Sequence, residues 1–595
     1  MGRWLIIIIG GGLASVEVRL GDGGRAVYDG GADVGAARAF CDFYGVEPAG
    51  ACASDLVAAD GGGAPALGAW EGGVEVELAD GTRAFYGGGG DAAAANAFCR
   101  SKGVDDPRCP WDVAVAAGAD DDDRVHLALD LPDGYASIAD ADARVGELRR
   151  RSALVAPFPW DAAVVPVFQP HWKLAFAGAG GDVVADVLKH WGDVYASALW
   201  HRPRAAAPRA GGRAKVGFVS SWFCNSAVGR LTAGLIARLD REAFAVHVYV
   251  LRDGKGRVRR DAFTDDIEKS ADGSAEVPAS LDGARQLLAG EGLDCLVFTD
   301  IGMEPFSYAL AFGRHARVQV AFWGHPTTTG VGGQALDYYL LMDAAEPGVE
   351  APQGRYSEQL VRLDTLGAYY HANESGQLRP GKPRGAYAAE SAALRGVPAN
   401  RTLYAAPQHC LKFHPRFDAA LLRILALDDA AVLVLRTCGP FPDGSPTVAD
   451  RLARAGVDVA ARVLGVGPLP LEDYARLFGG SHVALETFPF GGSITTLDAI
   501  EAGAPVVALA PPAGAAARPA LTRALYAIAG VDGLVAPDVE AYARLAVAVA
   551  NDAARRAAAA AAIAAGRGRL YESAAAVAEV GGFLARALRV GRGPS

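Results

Sequence analysis

From about residue 213 onward, short apolar runs alternate with amphipathic stretches, and the alternation occurs twice. Ala214–Ser221, Ala245–Val250, Cys295–Asp300 and Val318–Trp323 make a first set. Arg401–Ala406, Ala431–Arg436, Val483–Thr487 and Pro505–Leu509 make a second. Runs of strand length separated by helical stretches predict parallel sheets covered by helices. Two sets predict two Rossmann-like halves, an α/β protein with a cleft between its lobes. Polar residues gather where the first-set runs end, at Ser220-Ser221, at Asp300 and at His325-Pro326. That is the edge at which open α/β sheets bind ligands, and a cleft between lobes favours a small-molecule site.

The amino-terminal region has a different texture. Val16-Glu17-Val18-Arg19-Leu20-Gly21-Asp22-Gly23 aligns with Val74-Glu75-Val76-Glu77-Leu78-Ala79-Asp80-Gly81, and the match continues through Tyr28 with Tyr86 and Ala39-Phe40-Cys41 with Ala97-Phe98-Cys99. Alternating apolar residues interrupted by Asp-Gly predict a hairpin, and the Ala-rich stretch after it predicts a short helix, so each copy is a small α+β module. Each copy carries a second cysteine. Pairing Cys41 with Cys52 and Cys99 with Cys109 would staple two small cores, and four free thiols in a reducing compartment is the competing expectation. The close Cys-x-x-Cys spacing of a zinc site is absent. Ahead of the repeat, Arg3 and the run Trp4–Ile9 fit a short secretory leader, which would place the protein in the secretory pathway. The competing reading is a first strand, which would leave it cytoplasmic. The run is far too short to span a bilayer. The boundaries that follow are a leader at 1–15, modules at 16–58 and 74–115, an acidic linker at 116–150 containing Asp120–Asp123, and a helical lead-in at 151–212. The two Rossmann-like halves occupy 213–375 and 376–550, and a helix and tail 551–595.

Composition adds mainly exclusions. Half the residues are apolar and 21% are charged, so the chain can bury a sizeable core. A net charge of −11 without a basic stripe argues against nucleic acid as a partner.

A series of short motifs then bears on identity: Lys215–Ser221, Asp300-Ile301-Gly302-Met303, Trp323–Gly330, Asp337-Tyr338-Tyr339, Tyr356-Ser357-Glu358, Pro407–Pro415 and Phe488–Asp498. In order and spacing they resemble the landmarks of the catalytic region of the O-GlcNAc transferase and SPINDLY family, over roughly residues 160 to 590. The resemblance implies a GT-B fold and an inverting transfer from a nucleotide sugar without a metal or other cofactor. The implied acceptor is a Ser or Thr hydroxyl of a protein.

Such a reaction builds negative charge on the leaving diphosphate, which cations, backbone N–H groups and helix N-termini can meet. Lys412, just past a strand, is the candidate cation, and the family's matching lysine contacts the diphosphate. Gly491-Gly492-Ser493-Ile494-Thr495-Thr496 joins a strand to a helix expected to begin near Leu497. Gly492 permits close backbone approach there, and Ser493, Thr495 and Thr496 offer hydroxyls. The resemblance gives Asp498 the ribose hydroxyls and places Gln408 and His409 near the base. For the acceptor proton, Asp300 and His325 are candidates beside a phosphate oxygen of the donor itself. Each also has a plain structural reading, Asp300 capping its own turn and His325 fixing the Gly-His-Pro turn.

Departures from the family matter for the donor. Ser226 stands where relatives carry a histidine, and a serine is no general base near neutrality. Ser493 stands where O-GlcNAc transferases proper have a histidine, which leans toward bacterial and SPINDLY-type members. UDP-GlcNAc is the expected donor. GDP-fucose O-transfer, UDP-hexose transfer to asparagine, and a catalytically silent nucleotide-sugar or carbohydrate binder are the alternatives. The ~34-residue period of the family's helical repeats is missing before residue 150. Cys224, Cys295, Cys410 and Cys438, scattered near strands, are expected to be unpaired core residues.

Overall fold

The computed structural model describes short strands within residues 6–86 and, from residue 135 to 590, all but 153–154, 156–169, 202–211, 254–255, 324, 347–351, 373–383, 442–443, 513–514 and 516. The chain forms two compact units, Met1–Asp130 with Gly146–Val155, and Leu131–Val145 with Ala156–Ser595.

In the first unit, β1 (Ile6–Ile8) shows that the apolar start of the chain is a strand here. β2 (Val16–Arg19) and β3 (Arg25–Tyr28) form an antiparallel hairpin with Val16 opposite Tyr28. β4 (Val74–Glu77), which pairs antiparallel with β1, and β5 (Arg83–Tyr86) repeat that hairpin, with Val74 opposite Tyr86. The duplication in sequence is thus a duplication of register. The modules' helical halves and Cys41, Cys52, Cys99 and Cys109 lie outside the described residues. The linker expectation needs correction at its end, because Ile138–Ser152 is a helix, with Arg149, Arg150 and Arg151 in its last turn.

The second unit contains two wholly parallel sheets. The first runs β12-β11-β10-β9-β6-β7-β8, built from β6 (Ala214–Ser220), β7 (Phe244–Val250), β8 (Gly273–Glu276), β9 (Leu293–Phe298), β10 (Ala316–Phe322), β11 (Tyr338–Met342) and β12 (Gln359–Leu363). The second runs β15-β14-β13-β16-β17-β18, built from β13 (Thr402–Ala406), β14 (Ala431–Arg436), β15 (Val463–Val466), β16 (Val483–Leu485), β17 (Val506–Leu509) and β18 (Val535–Ala536). Central strands covered on both faces read as continuous apolar runs, and every residue of β6 after Ala214 is buried, as is every residue of β13. Strand order reverses between β6 and β9 in one sheet and between β13 and β16 in the other. These are the topological switch points, where the crevice of a doubly wound sheet opens.

The helices start where the sequence supplies caps. Ser226 accepts from the Gly229 amide to open Ala227–Arg238, and Asp261 with Thr264 closes a capping box on Ala262–Ser270. The lead-in helix Gly181–Leu199 lies against the loop after β10: a Cβ on Gly192 would collide with the Gly330 carbonyl, and Gly330 itself sits at φ +79°. The carboxyl-terminal helix Ala574–Val590 returns to the first lobe. There Phe583 meets Tyr338 edge-on at 5.2 Å, and Glu579 accepts from the amides of Asp364 and Thr365. Among the described residues no helix is long and apolar enough to cross a membrane.

Candidate active site

The second lobe brings most of the expected residues to its switch point. After β13 the chain enters a short 3-10 turn, Cys410–Lys412, and after β16 it passes through Glu486–Ser493 into a helix. Gln408 is buried and joins the two segments by donating from Nε2 to the Leu485 carbonyl at 2.9 Å. The His409 ring stacks on Phe176, centroids 6.4 Å apart, so the helix Pro170–Phe176 supplies one wall of this turn.

Lys412 Nζ donates to the Gly491 carbonyl at 2.7 Å and stands 3.9 Å from the centre of the Phe490 ring. The residue as a whole is half-buried, but its ammonium end is enclosed by these groups. Desolvation pulls that ammonium down to about 8, opposed by the charge of Glu486. Burial likewise pushes the Glu486 carboxyl up to about 8, although it accepts from the amides of Gly492 at 3.0 Å and Thr522 at 3.3 Å. Both groups are driven toward neutrality, and an anion arriving beside Lys412 would hold its proton on.

The helix after this loop is Ile494–Glu501, so it begins earlier than the sequence suggested. Ser493 is its cap position, yet its hydroxyl makes no capping bond. Thr495 Oγ1 is buried without a partner, while Thr496 Oγ1 bonds Thr522 Oγ1 at 2.7 Å. The uncapped N–H groups of this helix start and the unengaged Thr495 hydroxyl are chemistry that can receive an anion. The earlier start puts Asp498 in the second turn, away from the first-turn carboxylate position. Its carboxylate instead pairs with Arg230 of the first lobe, Nη2 to Oδ1 at 2.5 Å and Nη1 to Oδ2 at 3.3 Å.

The first lobe's contribution differs more from expectation. Asp300 is fully buried and accepts from Ser220 Oγ, Ser221 N, Ser221 Oγ and Ser307 Oγ at 2.5–2.9 Å. Burial raises its carboxyl against those four donors. It clamps the end of β6 to the helix Pro305–Ala311 rather than capping only its own turn. Asp300→Ala is therefore expected to lower stability by about 1–3 kcal/mol for each donor orphaned, whereas Asp300→Asn keeps one acceptor oxygen, which can take the place of the Oδ2 that receives three of the four bonds, and turnover within a few-fold. Denaturant melts with turnover per folded molecule check this. A collapse of turnover in a well-folded Asn variant would instead make Asp300 a base.

His325 is buried after β10, where Trp323 adopts φ 55°, and its backbone carbonyl accepts from Tyr339 Oη at 2.8 Å. Burial, with Arg518, His171 and Lys412 nearby, drives its imidazolium well below the usual histidine range. Two residues that the sequence reading passed over join it. His171, in the helix Pro170–Phe176, is 1% exposed, and neither ring nitrogen makes a hydrogen bond of normal geometry. Burial and Arg518 pull its pKa to about 3, against a small opposing pull from the nearby backbone of Thr328 and Thr329. Arg518 is 4% exposed and lies 6.0 Å from the Phe490 ring. Nothing in the local sequence marked either, since one sits in a lead-in helix and the other in an Ala-rich stretch.

Ser226, the substituted family histidine, donates to the Trp222 carbonyl at 2.9 Å while capping its helix. Cys410 and Cys438 are not unpaired core residues. They form a disulfide, Cα atoms 6.0 Å apart, that ties the Lys412 turn to the end of β14, whereas Cys224 and Cys295 are free thiols. Parallel neighbouring strands β13 and β14 bring the ends of both segments together, which spacing in sequence does not show. Among the described residues, His409, Cys410 and Cys438 also gather as potential metal donors, but two of the three are tied up in that disulfide.

Residues 193–371 match Glycosyl transferase family 41. Over 244 residues the chain is 26% identical to the protein named "Probable UDP-N-acetylglucosamine--peptide N-acetylglucosaminyltransferase SPINDLY" from Petunia hybrida and 27% identical to its namesake from Arabidopsis thaliana. In each case this covers 40% of this chain and 24% of the relative. The chain thus spans about a quarter of the length of the curated relatives it matches. Among solved structures, a mutant O-GlcNAc transferase of Thermobaculum terrenum superposes with TM-score 0.53 at 21% identity, covering 84% of this chain and 96% of that one. That likeness, with the two parallel sheets, shows the GT-B fold.

Proposed function

We propose that the chain, whose residues 193–371 match glycosyl transferase family 41, groups with the O-GlcNAc transferase and SPINDLY proteins and is a protein O-glycosyltransferase using UDP-GlcNAc. The observation that carries the reading is a convergence of anion-binding groups on one loop. The Lys412 ammonium is enclosed and pulled toward neutrality, the helix Ile494–Glu501 is uncapped, and Thr495 Oγ1 is unengaged over the same loop.

In the proposed reaction the acceptor hydroxyl oxygen forms a bond to the sugar's C1 as the bond from C1 to the diphosphate oxygen breaks from the opposite face. The electron pair leaves on the diphosphate, which gains negative charge, and the hydroxyl proton passes to a base. Lys412, the uncapped first amides of the helix Ile494–Glu501 and Thr495 stabilise the diphosphate where that charge grows, a role that calls for no divalent metal. Gln408 and His409 border the nucleoside base, and Asp498 faces the ribose. For the proton, His171 and His325 are neutral imidazoles whose burial makes them weaker bases than a free histidine, so the donor's own phosphate oxygen stands beside them as a third route. Asp300 is committed to its clamp.

A silent nucleotide-sugar binder is the second reading, favoured by Ser226 in its capping role and by Arg230 already occupying Asp498. Thermal stabilisation and sugar release with UDP-GlcNAc, UDP-glucose, UDP-galactose and GDP-fucose, with and without Ser/Thr peptides, test both readings. UDP-GlcNAc is expected to give the largest melting shift together with turnover. A shift without turnover on any peptide favours the binder, and a larger response to GDP-fucose moves the donor assignment to that sugar.

A further inference from the structure

Buried guanidinium groups in folded proteins are paired with carboxylates or hold a ligand, because removing such a charge from water uncompensated is costly. Arg518 is such a group, 4% exposed. Among the described residues no carboxylate pairs with it, and its Nη1 has no hydrogen-bond partner. Its guanidinium lies 6.0 Å from the Phe490 ring and interacts electrostatically with the imidazoles of His171 and His325 and the phenols of Tyr339 and Tyr356. Burial pulls the guanidinium down to about 10. Its backbone is fixed at the same place, because the Arg518 carbonyl accepts from the Gly491 amide at 3.2 Å and Lys412 binds the Gly491 carbonyl. One glycine of the anion loop thus tethers both cations, and one ring lies beside both.

We propose that Arg518 is the second cation of the site, binding the donor's diphosphate alongside Lys412 and holding it as the sugar departs. This rests on the nucleotide-sugar reading above and adds a residue to it. A planar guanidinium can bridge two phosphate oxygens with a fixed pair of donors, which a lysine cannot, so Arg518 orients the leaving group while Lys412 meets it as a point charge. As the bond from C1 to the diphosphate oxygen breaks, the added negative charge falls between the two.

The test uses the full chain and three probes, UDP, uridine and inorganic pyrophosphate, with Arg518→Met and Arg518→Lys. Arg518→Met is expected to melt at or above the wild-type temperature without ligand, because an uncompensated buried charge is gone. It should bind UDP and pyrophosphate at least ~10-fold more weakly, with uridine unchanged, and lose about 100-fold in kcat. Arg518→Lys should recover part of the pyrophosphate affinity and less of the kcat. If Arg518→Met lowers the ligand-free melting temperature and leaves UDP and pyrophosphate affinity intact, the arginine is a packing residue and the proposal is overturned. Should Arg518→Met not fold, Arg518→Lys with unchanged kcat and affinities overturns it equally. Wild-type protein that binds pyrophosphate through Arg518 but no nucleotide would sink the nucleotide-sugar reading and leave the arginine's diphosphate-binding role standing. Wild-type protein that binds neither sinks both.

Discussion

Lys412→Ala is expected to reduce turnover by about 10²–10³-fold and to abolish the melting shift produced by a nucleoside diphosphate, with little change in the fold. The ammonium is held between the Gly491 carbonyl and the Phe490 ring and is already pulled to about 8, so its removal discards an electrostatic contribution rather than a structural one. The pH dependence follows with a definite sign. In the free protein the cation is lost as pH rises through about 8, so kcat/KM should fall there. A bound diphosphate holds the proton on, so the limb in kcat should lie at higher pH. Stability runs the other way. Between about 8 and the unperturbed 10.5 the unfolded chain binds more protons than the native one, so stability rises with pH across that window, and Lys412→Met should remove this rise. An alkaline limb that survives in Lys412→Ala would assign the titration to another group.

Much of this site was legible because strand ends are legible. Gln408, Lys412 and the Gly491–Thr496 loop follow apolar runs whose period and length mark buried strands, and parallel pairing of β13 with β16 places those ends side by side. What the pattern could not show is what lies across from them. His171 comes from a helix that precedes both sheets, Arg518 from a 3-10 turn in an Ala-rich segment, and Cys438 from the neighbouring strand end. Each depends on a contact between segments far apart in sequence. The helix begins at Ile494 with Ser493 at its cap position, so Asp498 falls in the second turn, where its carboxylate meets Arg230.

That last pairing sets up the second large effect. Arg230 and Asp498 join the two lobes, with side chains 14% and 6% exposed, and Arg230 also lies 5.0 Å from the Tyr370 ring. Burial raises the Asp498 carboxyl even with the guanidinium beside it. Burial also works against the charge on Arg230, yet Tyr370 and the Asp498 carboxylate together hold that guanidinium above its ordinary value. Asp498→Ala strands a buried cation and is expected to cost about 3–5 kcal/mol in denaturant melts. Replacing both partners with apolar residues, Arg230→Met with Asp498→Leu, should recover most of that, since two desolvated charges are removed together. The double variant separates structure from chemistry. If Asp498 also receives the ribose hydroxyls, the refolded double variant should still show a donor KM raised at least ~10-fold with a smaller change in kcat, because an interaction made equally with substrate and transition state has been lost. Recovery of both stability and KM would reduce the pair to an interlobe strut. Recovery of stability alone means that Arg230 holds, in the free protein, the carboxylate that the ribose must share, so closing the lobes and seating the donor draw on the same two oxygens.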